Sequence, residues 1–203
     1  MSELYIYGTA SIFKGELIYD GKNVFKAKSG NLETFLSKAY EVIGQAYPKF
    51  FKMDNLGKLA FIASELLLSK LNWINDLEKE TVAICLQTAH GSTDTDLRYQ
   101  QTISQVDDYF PSPALFVYTL PNIAIGEICI RNGFKGENLC LISEQFDIEQ
   151  AKVHVSDWLT ATSTKVCLIG WLDVNKDDYK AILVAIGINQ QKSCATFSAE
   201  NIK

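Results

Sequence analysis

The stretch Gly136-Glu137-Asn138-Leu139-Cys140-Leu141-Ile142-Ser143-Glu144-Gln145-Phe146-Asp147 decides how the rest of this chain is read. Leu139 to Ile142 form an apolar strand run, a polar turn follows, and a helix is predicted from about Phe146 to Ala161. Ile148, Ala151, Val155, Trp158 and Leu159 make its apolar face, and Glu149, Gln150, His154 and Asp157 lie on the other. Strand, sharp turn and helix is where many α/β enzymes mount a nucleophile, because a helix N-terminus stabilises negative charge. Ser143 is the expected cap, which places Gln145 in the first turn of the helix. The turn has no thiol at its tip.

Strands and helices alternate on both sides of this stretch. Upstream, Leu4-Tyr5-Ile6-Tyr7 reads as a first strand, and residues 12–30 read as a small hairpin punctuated by glycines. Helices are predicted over Leu32–Tyr47, capped by Asn31 and stopped by Pro48, and over Asn55–Leu71. The second has so wide an apolar arc that it packs on more than one side, leaving Lys58, Glu65 and Ser69 as its polar stripe. Thr81–Leu86 is a strand, and residues 92–109 are polar and helical in part. Residues 111–133 are ambiguous by period, but Pro121 and Gly133 in these positions favour a helix. Downstream, Lys165–Gly170 and Tyr179–Ile186 read as buried strands, and Cys194–Phe197 as a short one. The expectation is one α/β domain spanning 1-203, with a mixed five-stranded sheet and flanking helices.

Composition narrows the function. With 203 residues, 47% hydrophobic and 21% charged, the chain can bury a sizeable core. A net charge of −5 leaves no footprint for nucleic acid or an anionic membrane. No apolar run is long enough to span a bilayer, the start lacks a signal-peptide layout, and a cytoplasmic location is the expectation. The five cysteines form no C-x-x-C pair, and Cys85, Cys140 and Cys167 sit inside strand runs as small hydrophobes. The two histidines, His90 and His154, have no acidic or Cys partner at ligand spacing, so neither a metal site nor a cofactor is expected.

Several motifs together carry a resemblance. Tyr5-Ile6-Tyr7-Gly8-Thr9-Ala10-Ser11, Met53-Asp54-Asn55-Leu56-Gly57-Lys58-Leu59-Ala60, and Val82 to Gly91 come first. Ser112-Pro113, Phe116, Leu120-Pro121-Asn122, Gly126, Ile128, Gly133 and Gly136-x-Asn138 follow in order. This series resembles the N-terminal half of the β-ketoacyl synthases, the condensing enzymes of fatty acid and polyketide synthesis, which have the thiolase fold. The resemblance covers most of this chain and half of a synthase.

It implies that the family's nucleophilic cysteine falls on Gln145, whose carboxamide cannot form the acyl thioester that condensation needs. The second half, which supplies the family's catalytic histidines, has no counterpart here. The pattern is similar to that of chain-length factors, inactive partners of a true synthase, and the expected role is a non-condensing accessory subunit in a fatty acid, polyene or polyketide pathway. The family's dimers pair the strand before the nucleophile, here Leu139, Cys140, Leu141 and Ile142, across a two-fold axis. A full-length synthase, a second copy of this chain and an acyl carrier protein are the implied partners. Phe116, Tyr118 and Asn122 would line an acyl path. Two alternatives stand beside this: a malonyl- or acyl-carrier decarboxylase using Gln145 with residues donated by a partner, and an interaction module that only reuses the fold.

Overall fold

In a computed structural model, residues 3–28, 31–104, 107 and 109–202 are described. Three strands open the chain, β1 (Tyr5–Phe13), β2 (Glu16–Tyr19) and β3 (Lys22–Lys26). They fold as a meander because Lys14-Gly15 and Asp20-Gly21 each place both residues at positive φ (48° and 77°, 44° and 73°). Two-residue turns of this hand match the twist of the strands they join. Next come α1 (Leu32–Ile43), α2 (Asn55–Lys70), β4 (Val82–Thr88) and α3 (Thr93–Gln101). The remainder is α4 (Pro113–Phe116), α5 (Ile123–Asn132), β5 (Asn138–Ile142), α6 (Ile148–Ala161), β6 (Val166–Asn175), β7 (Asp178–Gly187) and β8 (Ala195–Thr196).

All the strands join one sheet in the order β3-β2-β1-β7-β6-β4-β5, with β8 paired to the start of β1. β4 runs parallel to β5 and β6, and the other pairs are antiparallel. The sheet is mixed, as expected, but has eight strands among the described residues rather than five. The three additional strands are the short ones: β2 and β3 fall in the stretch read as a small hairpin, and β8 falls in the short strand read at Cys194–Phe197.

Side-chain alternation along β6 divides the core. Val166, Leu168, Leu172 and Val174 face the layer of α1, α2 and α5, while Cys167 and Ile169 face α6. The central helix α2 is buried from Leu56 to Leu68 except at Lys58. Glu65, expected on its polar stripe, is buried and takes a two-pronged ion pair from Arg131 of α5, with Nε–Oε1 at 3.0 Å and Nη2–Oε2 at 2.9 Å. The first helix ends earlier than Tyr47, at Gly44, whose N–H bonds back to the carbonyls of Tyr40 and Glu41. The ambiguous stretch contains helix α5, with Gly133 as its C-cap.

On the opposite face of the sheet, Val155 and Leu159 of α6 join Phe197 and Ile202 of the C-terminal segment in a second apolar cluster. Glu149, Gln150 and Asp157 are exposed and His154 is half-buried, so α6 is one-sided as its sequence indicates. Among the described residues no helix is long and apolar enough to cross a membrane.

Candidate functional site

The carboxyl ends of the parallel strands β4, β5 and β6 lie together, the usual place for ligands in α/β sheets. The β5–α6 turn is pinned from within. Ser143 N–H donates to Thr88 O at 2.9 Å, carrying the β4–β5 pairing one residue beyond Ile142. Gln87, fully buried on β4, holds both backbone groups of Asp147: its Nε2 donates to Asp147 O at 2.8 Å and its Oε1 accepts from Asp147 N–H at 2.7 Å. Asp147 is the true cap of α6, its Oδ1 accepting from Gln150 N–H at 2.9 Å.

This corrects the expectation for the turn. Ser143 does not cap the helix; its hydroxyl donates to Gln145 O at 2.6 Å. Gln145 is exposed and lies three positions before the first helical residue, not inside the first turn. The helix N-terminus is occupied by the Asp147 carboxylate, with Glu149 in the first turn, so its electrostatic support is directed away from Gln145.

A second feature was not legible in the sequence. Asp173, buried near the end of β6, accepts four hydrogen bonds from the last residue of β4 and the loop that follows it. Its Oδ1 takes Thr88 Oγ1–H at 3.0 Å, Ala89 N–H at 3.0 Å and His90 N–H at 2.8 Å. Its Oδ2 lies 2.6 Å from His90 Nδ1. The histidine therefore has an acidic partner after all, 83 residues along the chain. With a carboxylate as partner, Nδ1 carries a proton, and Nε2 lies 3.2 Å from Asn175 Nδ2 on a partly exposed ring. A faint signal existed: small residues and a histidine, Thr88-Ala89-His90-Gly91, directly at a strand end.

The thiols are all free and none is activated. Burial pushes Cys85 up to about 11 and Cys167 well above its usual range. Burial also raises Cys129, Cys140 and Cys194. Among the described residues no three His, Cys, Asp or Glu side chains gather as metal ligands.

The residues expected to line an acyl path are not alike in their surroundings. Phe116 is exposed, with its ring 5.5 Å from that of Tyr99, and Asn122 is exposed just before α5. Tyr118 is buried and donates its hydroxyl to Glu127 Oε1 at 2.9 Å, while Lys49 Nζ lies 2.8 Å from Glu127 Oε2. Its phenol is thus committed to an internal network.

β5 is an edge strand whose one described neighbour is β4. Leu139, Cys140 and Leu141 are half-buried, whereas Ile142 is 64% exposed. Gly91 sits between this strand end and the preceding loop, since a Cβ there would stand 3.2 Å from Pro121 Cβ and 3.7 Å from Ile142 Cδ1. Exposed Phe116, Val117 and Leu120 precede Pro121 on the same loop, and exposed Leu97 lies on α3.

No protein-family model matches the chain, and no curated protein matches it in sequence. Solved structures match its fold, among them ketosynthases and chain length factors. The ishigamide ketosynthase/chain length factor aligns with a TM-score of 0.69 at 13% identity, over 95% of this chain and 64% of that one. A type II PKS acyl-carrier protein in complex with its ketosynthase bound to the hexaketide aligns with a TM-score of 0.66 at 12% identity, over 94% and 64%. A β-ketoacyl synthase from Burkholderia phymatum STM815 aligns with a TM-score of 0.64 at 12% identity, over 94% and 60%. The architecture is the thiolase-like α/β fold of these proteins, and at such identities the likeness is one of fold. The chain spans about 60 to 64% of the length of these three structures.

Proposed function

We propose that this protein is a non-condensing, chain-length-factor-like partner of a β-ketoacyl synthase in fatty acid, polyene or polyketide biosynthesis. The observation that carries the reading is the β5 edge: an apolar strand with one side unpaired among the described residues and Ile142 exposed, beside the segment from α4 to α5 that presents Phe116, Val117 and Leu120. An edge of this kind invites pairing with another strand. The solved structures of this fold include a ketosynthase in complex with its chain length factor, from Xenorhabdus doucetiae. In this reading Gln145 stands where the nucleophilic cysteine of a synthase would be, Leu139 to Ile142 pair with the partner, and Phe116 and Asn122 border the acyl path. Tyr118 stabilises that border from inside.

Co-expression with a full-length synthase tests it. The two chains are expected to co-purify, and product chain length is expected to change when this chain is withheld. Failure to associate with any synthase overturns the reading.

One observation favours the alternative of a decarboxylase acting on a malonyl or acyl carrier. His90, oriented by Asp173, follows the carboxyl end of β4 as Gln145 follows that of its parallel neighbour β5, so the chain carries an oriented imidazole of its own. Incubation with a malonyl-loaded acyl carrier protein, followed by mass spectrometry of the carrier, distinguishes them: acetyl-carrier formed without a synthase supports the decarboxylase.

A further inference from the structure

At the other end of β6 from Asp173, the starts of β1 and β6, the end of β7 and the 3-10 turn Asn72–Asp76 enclose a cavity of about 200 Å3. Its walls are mainly apolar. Tyr7 and Trp73 meet edge to face, ring centroids 5.4 Å apart, and Leu77 and Val166 line the cavity beside them. Among the described residues the charged ones in the lining are Lys165 and Lys192, and no carboxylate lines the cavity. Lys192 Nζ rests 3.7 Å from the centre of the Trp73 ring, as a cation lying on the indole face. Tyr7 is 4% exposed, and its oxygen accepts from Asn189 N–H at 2.9 Å. An ordinary phenol already keeps its proton at neutral pH, and burial raises this one further, so the O–H is a donor there. Among the described residues that hydrogen is given no acceptor.

We propose that this cavity binds a small monocarboxylic acid with a flat or short apolar body, of about the size of benzoate. The aromatic walls take the body, and the carboxylate takes the ammonium of Lys192 and the hydrogen of Tyr7. A neutral molecule would leave the lysines without a counter-charge. A multiply charged anion would find too few donors and too much apolar wall. The site is independent of the β5 edge and of any synthase partner, since none of its residues belongs to that surface.

Titration of the intact chain with benzoate, followed by the indole N–H resonance of Trp73, tests the proposal. Saturable displacement with a millimolar dissociation constant is expected. Benzamide and benzylamine should bind about tenfold more weakly, and raising the salt should weaken benzoate. Lys192 is exposed, so Lys192→Met should leave the melting temperature unchanged while weakening benzoate about fivefold or more. Tyr7→Phe should weaken it again in a chain that still folds. Benzamide binding as well as benzoate, an unchanged affinity in Lys192→Met, or no saturation by about 50 mM would each overturn the assignment.

Discussion

His90 Nδ1 stands 2.6 Å from Asp173 Oδ2, joining the loop after β4 to the far end of β6 across 83 residues of chain. The other carboxylate oxygen takes the hydroxyl of Thr88 and two successive backbone N–H groups, so one buried anion organises the whole strand end. Carboxylates that accept several bonds of this kind are costly to remove, because every donor is left unpaired at once. Asp173→Ala is therefore expected to lower unfolding free energy by about 2 to 4 kcal/mol, measured by urea denaturation. His90→Ala, which removes one partly exposed partner, should cost about 1 kcal/mol or less. Equal losses would show that the pair, and not the carboxylate, organises the loop.

Gln87 predicts a local effect. Its carboxamide matches the N–H and C=O of Asp147, and Gln87→Leu would leave the Asp147 N–H without its partner, while Asp147 O keeps the N–H of Ala151 at 3.1 Å. The expected cost is about 1 to 2 kcal/mol. Hydrogen exchange should accelerate first in residues 143–150, before the rest of the sheet.

The buried thiols predict a pH dependence. A thiol with its pKa raised on folding contributes its stability fully below the unfolded value, and loses it as pH rises through the folded value. For Cys85 the window runs from about 9, the ordinary thiol value, to about 11. Stability should decline across that window by on the order of 2 to 3 kcal/mol for this residue. Cys85→Ala should flatten the decline in urea midpoints measured at successive pH values. An unaltered slope would place the cause elsewhere.

Replacing the exposed edge residue isolates association from folding. Ile142→Lys should change stability by less than about 0.5 kcal/mol, since the side chain packs little within the chain. It should abolish pairing through β5, with a second copy or with a synthase, as read by light scattering on a sizing column.

Introducing a thiol tests the vacated turn. Gln145→Cys should alkylate faster than Cys85 or Cys167, because it is exposed and they are not. Its rate should be that of an ordinary surface thiol, since α6 starts only at Ile148 and Glu144 lies beside it. An enhanced rate at neutral pH would mean the turn still activates a nucleophile.

The long elements were legible because local pattern and tertiary burial agree there. The apolar arc of α2, the strand runs of β4, β6 and β7, and the one-sided face of α6 all follow from side-chain period, which depends on neighbours in the chain. The ordered motifs from Tyr5 to Asn138 carried the resemblance that the ketosynthase-like fold bears out. The boundaries were less legible. Asp147 displaced Ser143 as the cap because Gln87, 60 residues earlier, fixes its backbone.

Residue type and spacing were thus sufficient for the α/β class, the mixed sheet and the lack of a thiol at the β5–α6 turn. Folding alone decided what meets across the chain: that Asp173 holds His90, that Arg131 pairs with a buried Glu65, that Tyr118 is spent on Glu127, and that Lys192 covers Trp73. Hydrophobic period reports burial on one element at a time. A hydrogen bond or an ion pair needs two elements placed to within a few tenths of an ångström, and that placement comes only from the packed sheet.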